Sequence, residues 1–525
     1  MARQNLIERA IGAISPNWAM QRERARLRTS AMTRTRMFYD GATTSHRSGG
    51  WRPAGTDANQ EVRLGGAKLR EVSRDMVRNN PYAAKAKTLI AGNVVGRGIL
   101  PSVEVNSTKG TEQLEELMVR HFDTTAIDAT GKTNMYGIQD LVMATVVESG
   151  ECLVRMRPRR ASDNLPLPFQ LQVLEPDFLD PLIDGPQKNG NFAVQGIEFD
   201  AIGRVVAYHL FNEHPGNVNF FRTLKSTSVP ADLIAHVYRV DRPGQVRGVS
   251  WFAPVVLRLN DFRDFNDAQL VRQKIAACFA AFISGEVDET QLISDETAPS
   301  GMTLEGFEPG MIQRLRNGEQ VSFSAPPTLD GHESYSSVTL HEIAAGLGVS
   351  YEALTGDLKG VNFSSGRMGW LEFQRNIDSW RDKMLKPQLL DRVGLWFIAA
   401  CRLGEGVNLS PDARVIWSSP RREMISPKDE IPYKVVEVRA GFKSRSQIIR
   451  EDGFDPAKVD AEIADDNKRQ DKLKLILDTD PRQRTAGGNA VTSGADAANG
   501  STSKSSKSGA GSASPADDQK EPADG

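Results

Sequence analysis

The chain has 525 residues, too many for one hydrophobic core and enough for about two to four subdomains at roughly 100–200 residues each. Its 65 basic and 67 acidic residues nearly cancel, which argues against a tight, static nucleic-acid binder, because such proteins gain affinity by neutralising phosphates. Cys152, Cys278 and Cys401 are odd in number and far apart, so neither a disulfide framework nor a zinc site is indicated. No apolar run approaches the roughly 20 residues of a membrane span, and the N-terminus lacks the apolar stretch of a signal peptide. A reducing compartment is expected: cytoplasm, or something assembled there.

Charge is unevenly placed at the start. Arg3, Arg9, Arg22, Arg24, Arg26, Arg28, Arg34 and Arg36 face only Glu8, Glu23 and Asp40, an arm that either meets nucleic acid or an acidic partner, or is a solvated, frayed terminus. Residues 41–66 are rich in Gly, Thr and Ser and read as loop. Helical patterns follow at 67–79 and 81–91, split by Asn79-Asn80-Pro81, and again at 111–122 and 138–149. From Cys152 to Val240 the period changes to that of strands: CLVRMR, FQLQVLE, GIEFD, VVAYHLF and AHVYRV, with a hairpin closed at Gly203. The first half is therefore an α+β module.

A long helix is expected from Pro254 through Ala268, Val271, Ile275, Cys278 and Phe282. Its late half, KIAACFAAFIS, is apolar or small on nearly every face and must be buried on all sides, by the rest of the chain or by other subunits. Beyond it, Arg316, Asn317, Gly318 and Glu319 stand between two short apolar-containing strands, a two-residue hairpin signal. Leu340, Ile343, Ala344 and Leu347 then mark one helix face, and Trp370, Phe373, Ile377, Trp380 and Met384 mark the seam of a long amphipathic helix expected to end at Pro387. Between these rods lies a loop in which Gly356, Gly360, Asn362, Ser364, Ser365 and Gly366 supply freedom and polarity, and only Asp357, Lys359 and Arg367 are charged. Charged amphipathic helices follow at about 428–440, 444–451 and 456–476, and the tail after Pro481 is too poor in apolar residues to order itself.

Signals for catalysis are weak throughout. AIDATGKT, residues 126–133, fits a relaxed phosphate loop in which Lys132 would reach phosphates and Thr133 would hold magnesium. A phosphate loop must leave a buried strand, yet a polar helical pattern precedes this one. Gly96-Arg97-Gly98 lacks the third glycine of a dinucleotide site. GVSWF at 248–252 has Phe where a nucleophile elbow needs Gly. His209, Glu213 and His214 are close in sequence without a third matching ligand, which favours structural histidines over a metal site. No carboxylate pair stands out for acid/base work, so no catalytic residue, metal or cofactor is expected.

Six stretches, taken in order, resemble the lambda-type bacteriophage portal protein family (head-tail connectors). They are LREVSRDMVRNNPYAAKAKTLIAGNVVGRGI (69–99), VVESGECLVRMR (146–157), LQVLEPDFLD (171–180), HVYRVDRPGQVRGVSWFAPVV (236–256), LTGDLKGVNFSSGRMGWLEFQR (354–375) and GFKSRSQIIREDGFDP (441–456). The resemblance implies an α+β, multi-part fold of wing, stem helices, clip and crown, forming a dodecameric ring around a central channel. By order of elements, 1–66 would be a basic arm and loop, 67–248 the wing, 249–284 a stem helix, and 285–331 the clip. The series continues with 332–354 a second stem helix, 355–367 the tunnel loop, 368–426 a long helix and return to the wing, 427–480 the crown and 481–525 a disordered tail.

The resemblance further implies a structural, non-enzymatic subunit at one capsid vertex, through which double-stranded DNA is packaged and ejected, with no membrane involved. Implied partners are other copies of the chain, the terminase large subunit, head completion and head-tail joining proteins, and major capsid and scaffold proteins. Its place would be the virion, after assembly in host cytoplasm. The DNA-facing residues would be Lys359, Gly360, Val361, Asn362, Phe363, Ser364, Ser365 and Arg367, and the clip hairpin would be Arg316, Asn317, Gly318 and Glu319. Two other classes stay open at this stage: a DNA-processing ATPase with a phosphate loop, and a minor head protein that never forms rings.

Overall fold

The computed structural model describes residues 55–104, 108–217, 225–277, 281–284, 320–323, 331–403, 413–421, 426–475, 477 and 482. Helices α1 (Ala58–Asn79) and α2 (Pro81–Val95) are followed by strand β1 (Leu100–Glu104), α3 (Thr108–Phe122) and α4 (Met135–Ser149). A run of strands comes next: β2 (Glu151–Pro158), β3 (Phe169–Leu174), β4 (Gly185–Pro186), β5 (Phe192–Val194), β6 (Ile197–Phe199), β7 (Val205–Phe211), β8 (Ser226–Pro230) and β9 (Ile234–Tyr238). Then come α5 (Val256–Ala277), β10 (Ala281–Ser284), β11 (Gln320–Phe323), α6 (His332–Leu347), α7 (Tyr351–Thr355) and α8 (Phe363–Trp380). A π-helical segment (Arg381–Leu390) joins α8 to α9 (Asp391–Leu403), and β12 (Arg414–Ser418), α10 (Pro427–Arg439), α11 (Arg445–Glu451) and α12 (Pro456–Leu473) complete the order. The described residues are α+β, and the chain divides into two units: Met1–Val94 with Thr125–Val393, and Val95–Thr124 with Gly394–Gly525.

In the first unit, β2 is the centre of an antiparallel sheet in the order β3-β2-β9, and a second sheet runs β4-β5-β6-β7-β8. Alternation along β2 decides what each face meets. Leu153 joins Leu174, Ile197, Leu210, Val229 and Ile234 in a buried apolar cluster. Cys152 and Val154, on the opposite face, are also fully buried, and α4 packs across this strand. The expected β6–β7 hairpin is present, with Gly203 at φ 82° in its turn.

A cluster of charge sits where β2 begins. Glu151 is fully buried; Arg247 donates through Nε to both of its oxygens at 2.8 and 3.1 Å, and the Gly248 amide donates at 2.8 Å. His236 Nε2 stands 2.9 Å from Oε2, and Arg247 also reaches the Gln195 carbonyl at 3.1 Å. The sequence brings these groups together because two glycines let the backbones touch: a Cβ at Gly150 would lie 2.4 Å from the Val249 carbonyl carbon, and one at Gly248 only 2.2 Å from the Gly150 oxygen. Nearby, Gln245 closes the turn before Arg247, accepting from the amides of Asp241 (2.8 Å) and Arg242 (3.1 Å) and donating to the Arg247 carbonyl (2.8 Å). Asn59 ties the start of α1 to the same turn, donating to the Gly244 carbonyl (2.9 Å) and accepting from the Val246 amide (2.9 Å).

Helices α5 and α6 pack on each other in this unit. Phe265 meets Tyr335 at 4.3 Å between ring centroids, Arg258 lies 3.5 Å from Glu342, and Gly346 is close enough to Val255 that an added Cβ would clash at 2.3 Å. Arg381, buried at the head of the π-helical segment, donates to the last carbonyls of α2, those of Val94 (2.6 Å) and Asn93 (2.7 Å). A cation there suits a helix C-terminus.

In the second unit, β1 pairs antiparallel with β12, from Leu100↔Ser418 to Glu104↔Arg414. Phe122 lies between Phe397 and Trp417, at centroid distances of 5.3 and 6.4 Å. Helices α10, α11 and α12 bury none of their residues. Ser444 and Asp455 cap α11 and α12, and Gly441 and Gly453, at φ 76° and 83°, end the turns before and after α11.

Three sequence expectations change, and others lie outside the described residues. The expected helix at 249–284 runs only over Val256–Ala277, and Ala281–Ser284 is instead a strand paired with Gln320–Phe323; its aromatic and β-branched residues favour a strand once a partner edge is at hand. The loop expected at 41–66 is already helical from Ala58, where Asp57 accepts from the Gln60 amide. The helix expected to end at Pro387 continues through it as a π-helical segment, whose wider turns shift the carbonyl four residues back away from the proline ring. The Arg316–Glu319 turn, Cys278, the N-terminal arm and the tail from 483 lie outside the described residues.

Breaking a buried ion pair by removing one partner costs about 3–5 kcal/mol, so Glu151→Gln is expected to lower unfolding stability at pH 7 by that order, read by urea denaturation. Burial opposes the charged carboxylate, but Arg247 and His236 outweigh it and hold the group far below the usual range. Its contribution is thus complete above the unfolded-state value of about 4.3 and is lost as pH falls toward the folded-state value. The gap between wild type and variant should therefore shrink at about pH 3.

Candidate functional site

Seven residues, Gly356 to Asn362, join α7 to α8. Gly356 ends α7 at φ 76°, and its amide donates to the Glu352 carbonyl at 2.8 Å. Asp357 then folds the chain back: its carboxylate accepts from the Lys359 amide at 3.0 Å. Gly360 adopts φ 76°, a left-handed conformation that glycine adopts without strain. Leu358 and Lys359 are exposed at the tip. The base of the loop is held by Tyr351, which stacks on His341 at 3.9 Å between centroids.

The other polar residues expected to face DNA have a local task. Asn362 and Ser365 form a reciprocal cap at the start of α8: Asn362 Oδ1 accepts from the Ser365 amide (2.8 Å), and Ser365 Oγ accepts from the Asn362 amide (3.1 Å). Ser364, Gly366 and Arg367 lie in the first turns of α8 rather than in a loop, with Ser364 and Arg367 exposed; Phe363 opens the helix and Val361 is half-buried. Lys359, Ser364 and Arg367 are therefore the exposed polar side chains at this end left outside the cap. The arrangement offers two exposed cations per chain at this end of α8.

The phosphate-loop pattern is filled by the protein itself. Asp128 turns its own carboxylate into the concavity of AIDATGKT and accepts from the amides of Thr130 (3.0 Å), Lys132 (2.9 Å) and Thr133 (3.2 Å), as well as from the Thr130 hydroxyl (2.6 Å). Burial alone would favour the neutral acid, yet these donors outweigh it and hold the carboxyl below its usual range. Amides that a phosphate would need are taken, and Lys132 points to solvent.

Histidines are structural partners here. His209 pairs with Glu198 at 2.9 Å. His214 belongs with Glu175 and Asp177 in a group close enough to hold a cation, but the Arg74 guanidinium already supplies one, 3.1 Å from Glu175 and 2.5 Å from Asp177. Burial raises the thiols of Cys152 and Cys401, the latter to about 12, so neither offers a thiolate. Ser250 Oγ accepts from the Phe252 amide at 3.2 Å and is buried without a base.

Glu151, Arg247 and Gln245 were not among the residues singled out from sequence. Their signal was present as charged and amide side chains inside otherwise apolar motifs, ECLV and GQVRGV.

The family model and the curated relatives agree with one another. The family model described as phage portal protein, lambda family, matches residues 44–381. The chain is 26% identical over 446 residues to a probable portal protein of Halomonas phage phiHAP-1, covering 80% of this chain and 83% of that one. It is 23% identical to portal protein B of Escherichia phage lambda, covering 56% of this chain and 61% of that one. Among solved structures, a chain in the neck of an empty GTA particle is 17% identical with a TM-score of 0.44, covering 78% of this chain and 97% of that one. An HK97 family phage portal protein from Corynebacterium diphtheriae is 9% identical with a TM-score of 0.31, covering 64% and 92%.

Because Asp128 rather than a phosphate organises residues 128–133, Asp128→Ala is expected to cost about 2 kcal/mol or more, as losing hydrogen bonds to a buried charge does. Lys132→Ala should stay within about 0.5 kcal/mol of wild type. Equal unfolding midpoints for the two variants, or saturable ATP binding abolished by Lys132→Ala, would contradict this reading.

Proposed function

Because the chain belongs to the lambda family of phage portal proteins, we propose that it acts as one subunit of a closed ring, a dodecamer by family precedent, that forms the channel for DNA at one capsid vertex. The observation that carries this is the family match across 44–381, which takes in both packed helices α5 and α6 and the loop between α7 and α8. The chain is read as structural, with the motor ATPase supplied by the terminase large subunit. Head completion and head-tail joining proteins, and major capsid and scaffold proteins, are its other partners. Its place is the vertex of the virion, reached from host cytoplasm during assembly.

Within that reading, α5 and α6 form the stem, Arg316–Glu319 the tip of the clip, and α10 to α12 the crown, while residues 67–248 supply most of the wing. The loop at 356–362, with Arg367 just beyond it, faces passing DNA. Repeated around a ring, Lys359 and Arg367 become two belts of positive charge that attract phosphates without reading bases. Few charges per subunit suit a polymer that must slide, since affinity rises steeply with each phosphate neutralised. Head-to-tail contacts that close need no self-complementary patch. The apolar residues exposed on α10, among them Ile431, Tyr433 and Val436, are then available to neighbouring subunits.

Negative-stain electron microscopy of the purified full-length chain tests the ring. Annular particles with a central hole are expected; a uniformly monomeric sample even in the presence of scaffold protein would reject the proposal. The loop has its own test. A Cβ at Gly360 would meet nothing within 4 Å, so the effect of Gly360→Val is confined to backbone strain at φ 76°, about 1–2 kcal/mol. Rings are expected to assemble normally and DNA filling of heads to fall; loss of rings would identify the loop as an assembly contact instead.

A further inference from the structure

The motif VVESGECLVRMR is only half explained by the fold. Residues 151, 153, 155 and 157 share one face of β2. Glu151 is spent in the buried ion cluster and Leu153 in the apolar core. Arg155 and Arg157, farther along the same face, are half-buried and form no ion pair among the described residues. Their cross-strand neighbours are neutral: Gln172 and Ile234 flank Arg155, and Gln170 lies opposite Arg157. Gln170 is committed elsewhere, accepting from Arg159 Nε at 2.8 Å and donating to the carbonyls of Ala126 and Asp128. Arg155 Nε is shut off from solvent with no hydrogen-bond partner. After burial, the largest influence on this guanidinium is the like charge of Arg157, and both weaken its hold on its proton. Because Nε is enclosed, an outside acceptor can reach only the terminal nitrogens of Arg155, beside the like charge of Arg157.

The same unit carries a run of aspartates on α5, a helix that also holds Arg258, Arg263, Arg272 and Lys274. Asp261, Asp264 and Asp267 recur at every third residue and are all exposed. Asp264 has Arg263 at 3.7 Å and Asn260 at 3.1 Å; Asp261 and Asp267 form no ion pair among the described residues. Like charges three residues apart on a helix repel. The spacings are commensurate: two residues along a strand span about 6.6–6.8 Å, and helix neighbours three apart lie about 5–6 Å from each other.

We propose that Arg155 and Arg157 form a cationic stripe that receives the carboxylates of a neighbouring copy of this chain, with the acidic row of α5 as the face that docks on it. This rests on the ring reading above. Two different patches of opposite sign, in which Arg155, Arg157, Asp261 and Asp267 form no ion pair among the described residues, are what a head-to-tail contact requires. Arginine is the residue that fits, because its planar fork takes a carboxylate in two parallel hydrogen bonds, and a half-buried guanidinium is already oriented for them.

The test compares the full-length wild type with R155Q/R157Q, measuring ring fraction against protein concentration and salt by mass photometry, together with the unfolding midpoint of the free subunit. The double variant is expected to need about tenfold more protein, or more, for half-assembly, while the subunit's midpoint stays unchanged or rises because an uncompensated charge has gone. R155E/R157E should fail to form rings, and adding D261K/D264K/D267K to the same chain should restore them. Wild-type rings with an equally assembling R155Q/R157Q would overturn the proposal, whereas wild type that forms no rings would overturn the ring reading itself. A lowered midpoint for both R155Q/R157Q and the milder R157Q would mean that the arginines only support the fold. Normal assembly with weakened binding of a DNA duplex would give the stripe to phosphates instead and contradict the carboxylate assignment.

Discussion

A carboxylate out of reach of water holds the first unit in register. Glu151 opens β2, yet its partners come from β9 and from the segment that leads into α5, so one side chain joins three stretches of chain. Such a group tolerates little displacement, because each lost donor leaves buried charge exposed to a low dielectric. The glycines at 150 and 248 belong to the same constraint, since neither position has room for a Cβ. Trp251, three residues beyond Gly248, then packs on Trp380 at 4.7 Å between ring centroids, with Arg239 4.7 Å from its own ring. A line of fixed contacts thereby runs from the strand core to the end of α8, the helix whose other end carries the loop.

Under the proposed function, anchoring at one end and freedom at the other would suit a part that meets a moving polymer. Trp380 and Arg381 are tied into the core and to the carbonyls of α2. Leu358, Lys359 and Gly360 stand in solvent with backbone hydrogen bonds confined to their own turn. Segments with few buried contacts open at low cost, and binding and moving parts are drawn from them.

Most elements were legible from periodicity because burial in this chain follows it closely. Leu340, Ile343, Ala344 and Leu347 are all buried on α6, and the five strands read from residues 152–240 are β2, β3, β6, β7 and β9. What escaped has a physical reason in each case. β1 and β12 pair across more than three hundred residues of sequence, a contact that no local pattern encodes. The end of α5 was misread because AFIS is equally apolar as helix or strand, and only the pairing with QVSF decides between them. Asn362 and Ser365 looked like loop residues because Ser and Asn serve loops and helix caps alike, and the cap became evident only from their mutual hydrogen bonds. The ion cluster was missed for a related reason: Glu151 and Arg247 are 96 residues apart, so neither charge signals the other.

The central claim is that DNA passes the loop between α7 and α8 inside a ring of these chains. The most direct measurement is photo-crosslinking from a reactive side chain placed at position 359 in DNA-filled particles, with the same group at position 202, an exposed residue of the β6–β7 turn, as the control. Crosslinks to DNA from 359 and none from 202 are the expected result. Crosslinks from 359 to protein alone, in particles shown to be full, would place the loop away from the channel and contradict the account.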